Sequence, residues 1–402
     1  MGPDDIITVA AISSHRITVT IGVARDDSIV THRSLPCRWH ELGEAERRAA
    51  LAEALRQAED AAGIGIRSLF LSRSSPSIAS RLSTGHASLG EELVLRDEEK
   101  GWALRRAREQ ATGIAHEVVM TLPVRWKVRD RSGERDVDDP IGVRGSHLSC
   151  EALLITAEPG HVQSLRDLAM AVERELEGII PPPVGLYRGI ASRLQKRGSS
   201  LVLDLGARHT SLLVHRRDRL VLLETHRGGG DDLTEALAEE LDLEWDAAEA
   251  LKHQVDLDAA SEPGETRTDI RQQDLFRELA QEKDLLRRAA RICRDEIDAT
   301  FRKLADDLRA HGHLAQQGTL HLVGRGAALG GLPRHLGELF DLPVRLGSGA
   351  SDRDAGSELD GLITVGLVRA AADLRRQALS SEGPTVGRAI SGLWGWLTHR
   401  YQ

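Results

Sequence analysis

The 402-residue chain is short of cysteine: its three cysteines, Cys37, Cys150 and Cys293, lie far apart, which excludes a CxxC-type zinc or redox motif and argues against a disulfide framework. A reducing cytoplasm is the expected compartment. Excess positive charge is also missing, since 53 basic residues face 62 acidic ones for a net charge of -9. A phosphate backbone is held by a basic surface, so no nucleic-acid partner is expected. No stretch of about 18 apolar residues occurs, and the opening MGPDDIITVAAISS has no basic leader before an apolar run. The expectation is a chain neither secreted nor membrane-spanning. No Ser-His-Asp or Cys-His arrangement has a local signature, so no catalytic residue is nominated. His209, His215, His226 and His253 form no H-x-x-x-H pair and flank no cysteine, so they are read as surface or hydrogen-bonded histidines, with no metal ligand set.

What is present is a repeated plan. Period-two apolar runs fill Ile6 to Leu35, with Asp26-Asp27 placed for a turn between the second and third strands. Ser199 to Leu241 again reads as strand, tight turn, strand, hairpin and strand, leading into a helix at Asp232 to Leu241, as the first region leads into one at Glu41 to Ala62. Such a duplication implies two similar α/β halves facing each other across a cleft. Between them, about Ala79 to Thr156 carries an amphipathic helix (Asp97 to Ala111) and the strand patterns EVVMTLPVRWKVRD and SHLSCEALLITA, with a turn at Arg131-Ser132-Gly133. This block is expected to be an inserted α+β subdomain. Leu275 to His311 shows helical periodicity, TLHLVGRGAALGGLPRHLGELF reads as strand, glycine turn and helix, and ITVGLVRAAADLRRQAL as another helix. The expected boundaries are about 1–78 for the first half, completed by about 157–195 and 361–378, with the insertion at about 79–156. The second half takes about 196–230 and 313–360, with a charged helical subdomain at about 231–312, a linker at about 379–384 and a terminal segment at 385–402.

On a helix, Val386, Ile390, Leu393, Trp394, Leu397 and Tyr401 of that terminal segment make one continuous apolar stripe, flanked by Trp396. Arg388, His399 and Arg400 lie off the stripe and can reach lipid headgroups, which gives a membrane-surface helix. Docking on its own domain is the competing fate of such a stripe. Gly387, Gly392 and Gly395 each cost about 1 kcal/mol of helix propensity, so the free tail is expected to order only on lipid, many tails binding with avidity.

Taken together, DDPIGVRGSHL, LPVRLG, GLITVGL, the Glu249-x-x-Lys252 pair, the hairpin around Asp204 and the Trp-rich tail resemble the bacterial cell-division actin homologue FtsA, in that family's order along nearly the whole chain. The resemblance implies an actin-like fold, a nucleotide cleft for ATP or ADP, and self-association into protofilaments. It further implies a tail that tethers the C-terminal peptide of the ring protein FtsZ to the inner face of the cytoplasmic membrane. The inserted subdomain would meet neighbouring protomers or the cytoplasmic tail of another division protein. PilM, the adaptor of type IV pilus assembly, is the neighbouring family, and a sugar or acetate kinase of the same superfamily is the enzyme alternative.

Mapped residue by residue, the cofactor set is Ser14 and Arg16 in the first phosphate loop, Asp204 and Gly206 in the second, and Gly229 and Gly230 at a helix start. Glu249 and Lys252 stand at the ribose side, and Gly324, Arg325, Gly326 and Ala327 in the adenosine turn. The pattern is degraded. Ala11 replaces the acid that positions hydrated magnesium, and Ala207, Arg208 and His209 stand where the family has Gly-Gly-Thr. The expected outcome is weak nucleotide binding, little use of magnesium, and at most a very weak ATPase. Paired glycines before helices are also ordinary turn devices.

Overall fold

The computed structural model describes residues 6–23, 28–110, 116–191, 194, 198–216, 219–258, 273–314, 318–347 and 355–381, with side chains described for these except 273–281, 355–362 and 377–381. The expected turn at Asp26-Asp27 and the whole segment 385–402 lie outside these residues. The chain divides into two compact units, one of residues 1–190 and 363–402, the other of residues 191–362.

Unit 1 starts with the antiparallel strands β1 (Ile6–Ile12), β2 (Arg16–Val23) and β3 (Ile29–Pro36). Helix α1 (Glu44–Ala62) follows, burying Leu51, Ala54, Leu55 and Ala58 at helical spacing, and β4 (Ser68–Arg73) then pairs parallel to β1. The chain next forms β5 (Ala79–Val94), α2 (Asp97–Glu109), β6 (Glu117–Asp130), β7 (Gly133–Val137) and β8 (Arg144–Ala157), a sheet of its own in the order β5-β8-β6-β7. Its apolar cluster includes Trp126, Val128, Leu148, Cys150 and Leu154, so 79–157 buries a core separate from the first sheet. Period-two alternation marks β6 and β8, whereas β5 is rich in Ser, Thr and Gly and carries no apolar rhythm that would reveal it. Then α3 (Pro159–Ala171), β9 (Glu175–Ile179) and α4 (Pro182–Ile190) return to the first sheet, completing the order β3-β2-β1-β4-β9.

Unit 2 repeats the scheme. Strands β10 (Ser199–Leu205), β11 (His209–Arg216) and β12 (Arg219–Arg227) are antiparallel. Helices α5 (Gly230–Leu241), α6 (Trp245–Lys252) and α7 (Gln273–Ala310) follow, then β13 (Gly318–Val323), a short 3-10 turn at Arg325–Ala328, α8 (Leu332–Phe340) and β14 (Val344–Leu346). The sheet order β12-β11-β10-β13-β14 is that of the first sheet, position for position, with β10–β13–β14 parallel. The duplication read from the sequence is therefore a duplication of topology. Central strands β1 and β10 are buried on both faces, which is why they read as near-continuous apolar runs.

Helix α9 (Ala355–Ser381) brings the chain back to unit 1. It runs to Ser381, three residues into the stretch expected to be a linker, because nothing before Glu382 and Gly383 breaks helical propensity. Arg375 fastens it: the guanidinium donates to both carboxylate oxygens of Glu177 at 2.8 and 2.6 Å and to the Ile6 carbonyl at 2.8 Å, over the ring of Phe70. Burial pushes the thiols of Cys150 and Cys293 up to about 12, so both are inert packing residues.

Candidate functional site

Asp204 is the penultimate residue of β10, and the β10–β11 turn at Gly206 to Arg208 abuts the start of α5 at Gly229 and Gly230. A helix start of this kind attracts anions because its first amides lack intrahelical acceptors. Here the protein supplies the acceptors. Gly230 N donates to Gly206 O at 3.0 Å and Asp231 N to Ala207 O at 2.7 Å, while Gly228 N reaches Arg208 O and Gly206 N reaches His209 O. Gly229 N donates to the Asp232 carboxylate at 2.6 Å, so the helix start already carries an anion of its own.

The glycines of these turns pack closely against backbone. A side chain on Gly229 would fall 2.5 Å from Gly206 O, against the same turn that takes the amides. Gly324, at φ +87°, lies against β10, where a Cβ would sit 2.6 Å from both Asp204 Oδ1 and Leu205 O. Gly326 is held by Leu205 in the same way, and Ala327 is buried. Arg208 and Arg325 are exposed.

Glu249 and Lys252, which the resemblance assigns to the ribose side, lie beside the start of α5. Their bonds are internal. Lys252 Nζ donates to Gly230 O at 2.9 Å, Thr234 Oγ1 at 2.8 Å and Glu249 Oε2 at 2.6 Å, and Thr234 also bonds Glu249. An ammonium has three protons, and all three are used. Burial raises the Glu249 carboxyl, but hydrogen bonds from Lys252 and Thr234 and the Lys252 charge outweigh it and hold it below its ordinary value. Sequence spacing showed that Glu249 and Lys252 share a helix face; Thr234, fully buried on another helix, carried no signal.

A cavity of about 40 Å³ adjoins Gly229 and Gly230, walled by Leu205, Ile297, Phe301 and Leu332 and by the acids Asp232 and Glu296. One water needs roughly 10–15 Å³, so this has room for water but falls well short of the roughly 300–1,000 Å³ of a small-molecule pocket. Burial raises the Glu296 carboxyl, and the charges of Asp232 and Glu235 raise it further. A group raised in the folded state contributes stability below its unfolded value and loses it as pH rises through the folded one. Glu296→Gln is therefore expected to stabilise unit 2 at pH 7 by about 0.5 kcal/mol, discounted for solvent screening. The gain should vanish below the ordinary glutamate value of 4.5, which urea midpoints measured across pH would test.

Ser14 and Arg16 sit in unit 1, at the β1–β2 turn. The turn is closed by Ser13 N donating to Arg16 O at 2.9 Å, and the carbonyls of Ser14 and His15 accept from Trp39 N and Cys37 N. Ala11 offers no carboxylate where the resemblance expects one, and among the described residues no group of three or more His, Cys, Asp and Glu could hold a metal ion. Of the four histidines considered, His226 and His253 lie against Glu224 and Glu249 at 3.1 and 3.2 Å, and His215 is buried. The tail residues Val386 to Tyr401 lie outside the described residues.

No model of a known protein family matches the chain. In sequence it is similar to the cell division protein FtsA of Streptococcus pneumoniae, 22% identical over 303 residues that span 74% of this chain and 64% of that protein. It is also 25% identical over 372 residues to FtsA of Agrobacterium fabrum, covering 85% of this chain and 81% of the relative. The chain thus spans less than two thirds of the length of the streptococcal relative and more of the other. In structure it matches the PilM–PilN type IV pilus biogenesis complex at TM-score 0.56 and 16% identity, over 91% of this chain and 98% of that one. The resemblance to FtsA holds over most of the chain, and the fold is actin-like.

Proposed function

We propose that this chain is an actin-like cell-division scaffold that self-associates and links the FtsZ ring to the cytoplasmic membrane through its terminal segment, with a nucleotide site that no longer hydrolyses. The sequence likeness to FtsA over 74% and 85% of the chain carries the reading. Occupation of the α5 amides by Gly206, Ala207 and Asp232 supports the loss of turnover, because the backbone donors that would stabilise a transferring phosphoryl group are already bonded. The expected behaviour is weak binding of ATP or ADP or none, no preference for the magnesium complex, and no steady phosphate release. The small-molecule kinase reading loses support on the same grounds. The PilM-like adaptor reading has the fold likeness behind it, and the tail separates the two.

The test is flotation with anionic liposomes. Full-length protein is expected to float, whereas a chain ending at Pro384, or the double variant Trp394→Glu with Leu397→Glu, stays at the bottom of the gradient with an unchanged circular-dichroism spectrum. Equal flotation by truncated and intact protein would refute the tether and leave a pilus-type adaptor as the better reading.

A further inference from the structure

The four-stranded sheet β5-β8-β6-β7 has one covered face and one open face. Ala87, Leu148, Cys150 and Val128 face the apolar cluster, and a Cβ on Gly85 would meet the backbone of Ala103 and Ala107, so α2 lies on that side. Side chains alternate along a strand, and His86, Ser88, His147, Ser149, Lys127 and Arg129 therefore stand on the other face. Strand register sets His86 of β5 opposite Ser149 of β8, and Ser88 opposite His147. Each imidazole bonds the serine across from it through Nδ1, His86 to Ser149 Oγ at 2.7 Å and His147 to Ser88 Oγ at 3.0 Å. The two rings thus lie on a diagonal, with their centres 5.3 Å apart. Lys127 and Arg129 of β6, in register with Ser149 and His147, both reach Glu134 of β7, at 3.3 and 3.0 Å.

A serine oxygen that accepts from Nδ1–H leaves the lone pair of a neutral imidazole on Nε2, the outer ring nitrogen. Metal-binding histidines divide their nitrogens in the same way, one held by a hydrogen bond and the other offered to the ion. The spacing agrees with this use. With metal–nitrogen bonds of about 2.0–2.1 Å at the tetrahedral angle, the centres of two imidazoles on one ion stand about 5 Å apart. Both histidines are borne on adjacent strands of a sheet that α2 braces from behind, so the pair is positioned before any ion arrives. Glu134 offsets part of the positive charge that Lys127 and Arg129 bring to this face. His311 and His313, at the end of α7, differ on both counts: their ring centres stand 6.4 Å apart, and His313 Nδ1 is buried with no hydrogen-bond partner.

We propose that His86 and His147 form a two-histidine site for a divalent transition ion of the imidazole-binding class, zinc, nickel or copper, with water in the remaining positions. Two protein ligands make an open, exchangeable site, one ligand short of a catalytic zinc centre and two short of a structural one. Imidazole favours these ions over magnesium and calcium, which take oxygen ligands, so the site is chemically distinct from the magnesium position that Ala11 fails to supply. It stands on the sheet of residues 79–157 alone, so the following titration and the liposome flotation fail or succeed separately.

The probe is zinc chloride, titrated calorimetrically into the full chain, free of any polyhistidine tag, after metal is stripped with EDTA and the chelator removed. Saturable binding of one ion per chain is expected. It should weaken by about tenfold or more in His86→Asn and in His147→Asn, since losing a ligand costs at least as much as losing an outer-shell partner. His311→Gln, in the pair at the end of α7, should bind as the unmodified chain does. Should a histidine variant fold poorly, copper(II) on the unmodified chain reads the site directly: electron spin echo modulation from the remote ring nitrogens counts the imidazoles, and two on one copper are expected. An excess of magnesium should leave the zinc isotherm unchanged. Absence of saturable zinc binding, binding retained in both histidine variants, or fewer than two imidazoles on copper would overturn the site. So would displacement of zinc by magnesium.

Discussion

Gly366→Ala is expected to destabilise unit 1 by about 3 kcal/mol or more, which for a unit of this size lowers its melting temperature by roughly 6–12 °C. Gly366 lies in α9 within the stretch GLITVGL and is buried against α4. A Cβ there would overlap Gly185 O and sit 2.7 Å from Gly189 N, and Gly185 in turn has Leu367 Cγ 2.6 Å from its own ideal Cβ. Two helices therefore cross backbone to backbone. Nothing flexible can give way, because the clashing atoms belong to the main chain of α4, and α9 is fixed further along by Arg375 on Glu177 and by Arg188 on Asp373 at 2.6 Å. The control is Gly160→Ala in α3, where no atom lies within 4 Å of the new methyl and helix propensity gains. Thermal melts of both variants decide the matter: equal melting temperatures would mean that α4 and α9 do not pack through these glycines.

Lys252→Met is expected to cost unit 2 about 2–4 kcal/mol, somewhat under the usual figure for breaking a buried pair because Glu249 reaches solvent. The Lys252 side chain is only 11% exposed and its ammonium serves three acceptors. Its loss takes one donor each from Gly230 O and Thr234 and leaves the Glu249 carboxylate without its lysine counter-charge. The Glu249 carboxyl is depressed in the folded state, so its contribution is present above the unfolded value and is lost as pH falls through the folded one. Acid should therefore narrow the difference between the variant and the unmodified protein. A residue whose main task were contact with ribose would behave otherwise: the variant would lose nucleotide affinity and keep its stability. Urea midpoints at pH 7 and below pH 4, beside a nucleotide titration, separate the two roles. Unchanged stability with lost nucleotide binding would return Lys252 to the ligand side.

By itself the sequence determined the features that follow from spacing along the chain. Alternation placed β1 to β3 and β10 to β12, the recurrence of strand, turn, hairpin and helix announced the duplication, and helical periodicity marked α2, α7 and α9. Loss of the acid at Ala11 and the bulk at Arg208 and His209 already spoke against magnesium-dependent chemistry. Tertiary structure alone decided what those residues do. Arg208 is a surface side chain, and it is the carbonyls of Gly206 and Ala207, with Asp232, that close the α5 amides. Lys252 is a brace between α6 and α5, and Gly366 a helix crossing. The reason is physical. Periodicity and capping arise from contacts a few residues apart and leave a rhythm in the sequence, whereas the meeting of a donor with its acceptor, or of two like charges, depends on strand register and helix crossing, to which distant segments contribute without any repeating pattern.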